Sequence, residues 1–183
     1  MIFDVIRKRR SVFPAQYNET PIAKVDILKV LEAGNWAPSH RKTEPWRFKV
    51  MQGETLEKLG LFLSLKYLET DSSPKEFKAK KIIENPKKAS AIIAICMQRD
   101  PMKSVPEWEE VAAVAMAVQN MWLACTELGI GAYWSSPALV KHMGDFFEMN
   151  HEEACLGFFY MGNYTQEIPD SARGPIEDKT VWL

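Results

Sequence analysis

The chain has 183 residues, 46% apolar and 26% charged, with 23 basic against 24 acidic residues and a net charge of −1. That length and composition suit one soluble globular domain whose core needs neither disulfides nor a structural metal. The charge balance offers no electrostatic footprint for a nucleic acid, and the longest apolar run, Val111 to Val118, falls far short of the ~20 residues a membrane helix needs.

In chain order, Ile2, Val5 and Ile6 share one helical face with Asp4 in the first turn, which predicts a short amphipathic helix presenting Arg9 and Arg10 at its C-terminal end. The basic cluster follows the apolar stretch, the reverse of a secretory signal, so export is not expected. Thr20-Pro21 resembles an N-cap followed by proline at the first helical position, predicting a helix through Ala33 that Pro38 stops. Trp46 to Val50 alternates apolar and basic residues with period two, as a half-buried strand does. Helical spacing returns over Glu54 to Leu68. Residues 71–88 are polar, lysine-rich and broken by Pro74 and Pro86, which predicts a short helix within a mobile surface excursion.

Ala89 to Met97 is a continuous apolar run rich in isoleucine and reads as a central strand covered on both faces. Trp108 to Leu128 is a long helix, apolar around most of its circumference and ended by Gly129; it must be enclosed by its own domain or by a second subunit. Gly131 to Ser135 is a short strand, Ala138 to Phe147 a helix, and Cys155 to Met161 another buried strand. The tail from Asn163 has no helical period, and its closing Trp182 is expected to dock. Without a regular βα repeat, the class is α+β, a mixed sheet flanked by helices, with residues 1–183 forming one domain.

The three cysteines, Cys96, Cys125 and Cys155, are odd in number, widely spaced and set in apolar runs, as buried free thiols are in a reducing compartment; the expected location is the cytoplasm. His142 and His151 lack metal-ligand spacing, so no metal is expected. Lys80-Lys81 and Lys87-Lys88 have no interleaved aromatic residues and read as a solvated face.

Four segments carry a chemical signal. They are Arg9-Arg10-Ser11; Ala37-Pro38-Ser39-His40-Arg41-Lys42-Thr43-Glu44-Pro45-Trp46-Arg47-Phe48; Gln119-Asn120 with Leu128-Gly129-Ile130-Gly131 and Trp134-Ser135-Ser136; and Gly162 with Arg173-Gly174-Pro175 and Trp182. In order and spacing they resemble the nitroreductase family, and the second matches that family's A-P-S-x-x-N-x-Q-P-W-x-F signature. The likeness is greatest to the compact branch in which a histidine and a basic residue follow the A-P-x.

The resemblance implies a homodimer with FMN at the subunit interface, reduced by NADH or NADPH. FMN has a phosphate dianion at one end and a ring edge that becomes negative on reduction, so both ends need fixed cations. By resemblance Arg9 and Ser11 hold the phosphate or the ring edge, Arg10 the pyrimidine edge and Arg173 the phosphate. Without it, the RKRR run is a solvated helix end. His40 would reach the flavin of the partner subunit, and Lys42, standing for the signature asparagine, can donate but cannot accept a hydrogen bond from the flavin N3–H. Glu44 replaces the signature glutamine. Trp134, Ser135 and Ser136 would run along the ring; Pro137 has no N–H, which leaves Ser135, Ser136 or Ala138 to donate to N5. Trp36 either walls the pocket or packs as a core or interface aromatic, while Trp108 and Trp122 are assigned to packing.

The implied reaction is a ping-pong transfer of hydride from NAD(P)H through flavin N5 to a small electrophile, nitroaromatic or quinone-like, with no protein acid or base named as catalytic. Two alternatives remain open at this point: another flavin reaction on the same fold, and a flavin-binding protein without turnover.

Overall fold

A computed structural model describes all 183 residues. Its elements are α1 (Ile2–Lys8), α2 (Lys24–Asn35), β1 (Trp46–Met51), α3 (Glu54–Thr70), α4 (Glu76–Lys87), β2 (Ala91–Gln98), α5 (Glu107–Glu127), β3 (Gly131–Ser135) and β4 (Glu153–Gly162). Short 3-10 segments at Pro14–Gln16, His40–Lys42, Ala138–Asp145 and Glu177–Lys179 link them.

The strands form one sheet in the order β1-β2-β4-β3. Trp46 pairs with Met97, Ala91 with Met161, and Gly131 with Gly162. All three pairings are antiparallel, so within one chain the flanked α+β sheet lacks the parallel pair that a mixed sheet would have. The continuous apolar run predicted as central is β2, and its period-two alternation feeds two cores. Ile93, Ile95 and Met97, with Phe159 and Met161 of β4, face a layer made by α2 and α5. Ile92, Ala94 and Cys96, with Phe158 and Tyr160, face Leu56, Leu59 and Leu63 of α3.

Three local expectations are corrected. The second helix opens at Lys24, after an Ala23 N-cap with no side-chain cap, rather than at Thr20-Pro21. The Thr20 and Pro21 carbonyls instead accept hydrogen bonds from Asn163 Nδ2 at 3.1 and 3.2 Å, so a tertiary contact has taken over the local capping signal. Residues 71–88 are no mobile excursion: most of them form α4, which lies close against α3. A Cβ on Gly60 would stand 2.6 Å from the Ile83 carbonyl oxygen, so the two helices need glycine at their crossing. Pro86 falls inside α4 but only in its last turn.

The tail also departs from expectation. Residues 171–183 are exposed along their length, and Trp182 is 93% exposed instead of docked on its own chain. The long helix α5 buries Ala113, Val114, Ala117, Val118, Met121 and Cys125 on one side, while Trp108, Val111 and Met116 on the other side stay exposed. Helix α1 buries no residue and leaves Ile2, Phe3 and Ile6 exposed. The chain therefore does not cover its own apolar helix faces.

Candidate functional site

The N-terminal segment is fixed to the sheet edge by one backbone hydrogen bond, from Val12 N–H to the Ala132 carbonyl of β3 at 3.0 Å. Gly131 permits this approach, because a Cβ there would lie 2.9 Å from both Val12 Cγ1 and the Tyr164 ring. The Phe13 ring packs on Tyr133 with centroids 5.0 Å apart. Arg9-Arg10-Ser11 and Trp134-Ser135-Ser136, more than 120 residues apart in sequence, therefore share one edge of the sheet.

Arg9 ends α1 and lies half-buried, its guanidinium 4.6 Å from the centre of the Trp122 ring. Trp122 also donates its indole N–H to the Arg10 carbonyl at 3.2 Å, so this residue, read from sequence as packing alone, also braces the arginines. Burial lowers the pKa of Arg9, and the charges of Arg173 and Arg10 lower it further. The tail has therefore brought Arg173 close enough to act on Arg9. Arg10 binds the same tail through the Pro169 carbonyl at 3.2 Å and the Asp170 carboxylate at 2.8 Å.

Of the three guanidiniums only Arg10 has a carboxylate partner; the hydrogen bonds of Arg173 go to Ser171 and the Ala172 carbonyl. A cluster of like charge with such an excess is unfavourable by itself and is offset when an anion joins it. It suits a phosphate dianion.

Beyond β3 the chain borders a cleft of about 400 Å³, within the range of roughly 300–1,000 Å³ usual for small-molecule sites. Ser135, Pro137 and Lys141 line one side, Tyr67 of α3 and Lys78 and Asn85 of α4 the other. Tyr133 and Tyr160 stack at 5.0 Å in its wall, and burial raises the pKa of both phenols. Pro137 offers no donor, as its ring dictates, but the Ser136 amide has no hydrogen-bond partner and is free to serve a ligand. The Trp134 indole N–H is buried without an acceptor.

The signature loop stands apart from this cleft. Pro45 and Trp46 anchor it, with Trp46 buried and donating to Asn35 Oδ1 at 3.0 Å. Arg41, Lys42 and Glu44 then adopt left-handed backbone with φ of 52°, 56° and 43°, a strained run for three residues with Cβ atoms. Ser39 Oγ accepts from Glu44 N–H at 3.2 Å, and Arg47 holds the Glu44 carbonyl at 2.9 Å; the Glu44 side chain is not what fastens the loop. Lys42 is exposed and unpaired. His40 Nδ1 lies 2.5 Å from Glu109 Oε2. Trp36 is 79% exposed and bonded to Glu32, so within this chain it walls no pocket.

The predicted residues thus fall into two groups. Arg9, Arg10, Ser11, Trp134, Ser135, Ser136 and Arg173 gather at the β3 edge, while Trp36, His40 and Lys42 sit on an outward surface between the end of α2 and the start of α5. Glu109, Tyr67, Lys78, Asn85 and Lys141 were missed. Each is an ordinary polar residue of a helix or 3-10 segment, and no local pattern marks it.

Comparison with known proteins agrees with this arrangement. Residues 6–163 match the nitroreductase family. YfhC of Bacillus subtilis, named as an NAD(P)H nitroreductase, is 29% identical over 181 residues, covering 96% of this chain and 91% of its own. YdjA of Escherichia coli, named likewise, is 29% identical over 159 residues, covering 86% of this chain and 85% of its own. The crystal structure of a nitroreductase-like protein from Bacillus cereus superposes with a TM-score of 0.83 at 27% identity, covering 100% of this chain and 96% of that one. A fold neighbour from Desulfovibrio desulfuricans, solved in complex with FMN, has a TM-score of 0.72 at 22% identity, covering 100% of this chain and 96% of its own. With a family match over most of its length and the same fold, the chain belongs to the nitroreductase family.

Proposed function

We propose that residues 1–183 act as one FMN-binding domain of a homodimeric oxidoreductase, which takes hydride from NADH or NADPH and passes it to a small electrophile such as a nitroaromatic or a quinone. The observation that carries this reading is the gathering of Arg9, Arg10 and Arg173 around a single carboxylate, beside a free Ser136 amide and a tyrosine-lined cleft. These residues fit FMN. The arginines, with Ser11, suit the phosphate end, and Ser135 and Ser136 suit the ring. When bound, FMN supplies the atom that accepts and releases hydride.

The protein's part is binding and orientation. Arg9 and Arg173 neutralise the phosphate; Ser136 N–H is the remaining backbone donor for the ring's N5, given Pro137. The tyrosine walls exclude water from the face where reductant and acceptor meet. One cleft then serves both, so oxidised nicotinamide leaves before the acceptor enters. The exposed apolar faces of α1 and α5, together with Trp36 and Trp182, support burial by a second copy, which would bring Trp36, His40 and Lys42 to the partner's cofactor.

Titration of the purified protein with FMN, followed by flavin fluorescence and by sizing, tests the reading. Binding of one FMN per chain by a dimer is expected. A monomer that leaves flavin fluorescence unchanged would overturn it.

A further inference from the structure

Glu109 has no part in the reading above, yet its carboxylate makes the shortest printed contact to any residue of the signature loop outside that loop, 2.5 Å from His40 Nδ1. It sits in the first turn of α5, where the unpaired amides of the helix favour a negative side chain. Its side chain is 23% exposed, against 58% for His40, so the carboxylate is the better-fixed member of the pair.

An ionised carboxylate only accepts hydrogen bonds, so the proton of this contact lies on Nδ1. In the neutral imidazole Nε2 is then an acceptor, and it is the nitrogen left free. The loop lacks another such group: Lys42 can only donate, and the Glu44 side chain makes no hydrogen bond.

We infer that Glu109 is a positioning residue that holds His40 as the Nδ1–H tautomer and so presents Nε2 as the acceptor for the imide N–H of the bound cofactor, its N3–H. The inference rests on the FMN reading and adds to it the residue that reads the imide edge. It replaces the amide side chain of the family signature with a carboxylate-set imidazole.

The test uses two readouts on the full-length protein at pH 8. Nitrogen-15 NMR of the imidazole is expected to show His40 as Nδ1–H in wild type and as Nε2–H, the form imidazole prefers in water, in Glu109→Ala. FMN and 3-methyl-FMN are compared by fluorescence titration: wild type is expected to bind FMN about tenfold more tightly, and both Glu109→Ala and His40→Phe are expected to lose most of that discrimination. Wild-type His40 in the Nε2–H form would overturn the inference, as would equal affinity for the two flavins. Failure to bind either flavin would instead overturn the functional reading, while the tautomer would still decide the role of Glu109.

Discussion

Replacing Arg173 by alanine is expected to separate two effects that usually move together. Arg173 is exposed, bonds only to its neighbours Ser171 and Ala172, and lowers the pKa of Arg9 by like-charge repulsion. Removing it relieves that repulsion, so the flavin-free protein should unfold at an unchanged or slightly higher temperature. A charge-assisted hydrogen bond to phosphate contributes about 1.5–3 kcal/mol, so the FMN dissociation constant should rise roughly 10- to 150-fold. With FMN far above both dissociation constants, ligand stabilisation falls by that same energy. At about 2–4 °C per kcal/mol for a chain of this size, the FMN-induced rise in Tm should shrink by roughly 3–12 °C. Thermal unfolding of wild type and Arg173→Ala, each with and without FMN, measures both quantities. An equal FMN-induced shift in the two proteins would refute the assignment of Arg173 to the phosphate.

Other consequences lie outside the arginine cluster. Gly60→Ala would drive a Cβ into the Ile83 backbone; the expected destabilisation is about 1–3 kcal/mol in urea unfolding, and a gain in stability would show that α3 and α4 do not cross as described. Glu153 is fully buried and pairs with Lys49 at 2.6 Å. Burial alone raises its pKa, but Lys49 and the Asn150 N–H outweigh burial and leave it lowered. A lowered carboxyl stabilises the fold above its unfolded pKa of about 4.3 and loses that contribution as pH falls through the folded value. Lys49→Met should cost about 3–5 kcal/mol at pH 7 by stranding a buried charge, and this deficit should shrink by pH 4; a deficit independent of pH would contradict the pairing. Cys96, Cys125 and Cys155 are free and buried, and burial pushes the Cys125 thiol well up. Ellman's reagent should therefore leave the native protein unlabelled over minutes and find three thiols in denaturant, whereas rapid native labelling would count against the packing of the β2–β4 core.

How far the residues announced this structure depended on whether one element or several carried the information. The apolar run at β2 and the period of α5 named their own environments, because a strand covered on both faces has no polar side to show. The start of α2 was misread because Thr20-Pro21 satisfies a distant asparagine, and the mobility assigned to 71–88 failed because lysine-rich composition says nothing about a glycine-mediated crossing. Motif order named Arg9, Ser135 and Arg173 as a set, but only the Val12–Ala132 hydrogen bond and the path of the tail put them at one edge. The cleft was not legible, since Tyr67, Lys78 and Lys141 come from three separate elements and each is unremarkable alone.

The most direct test of the central claim is an anaerobic absorption spectrum of the protein saturated with FMN, taken before and after addition of NADH or NADPH. The flavin band near 450 nm, a property of FMN itself, should bleach in full and return when a nitroaromatic or quinone is added. Bound flavin that neither nicotinamide reduces would contradict the oxidoreductase account and leave a flavin-binding protein on a nitroreductase fold.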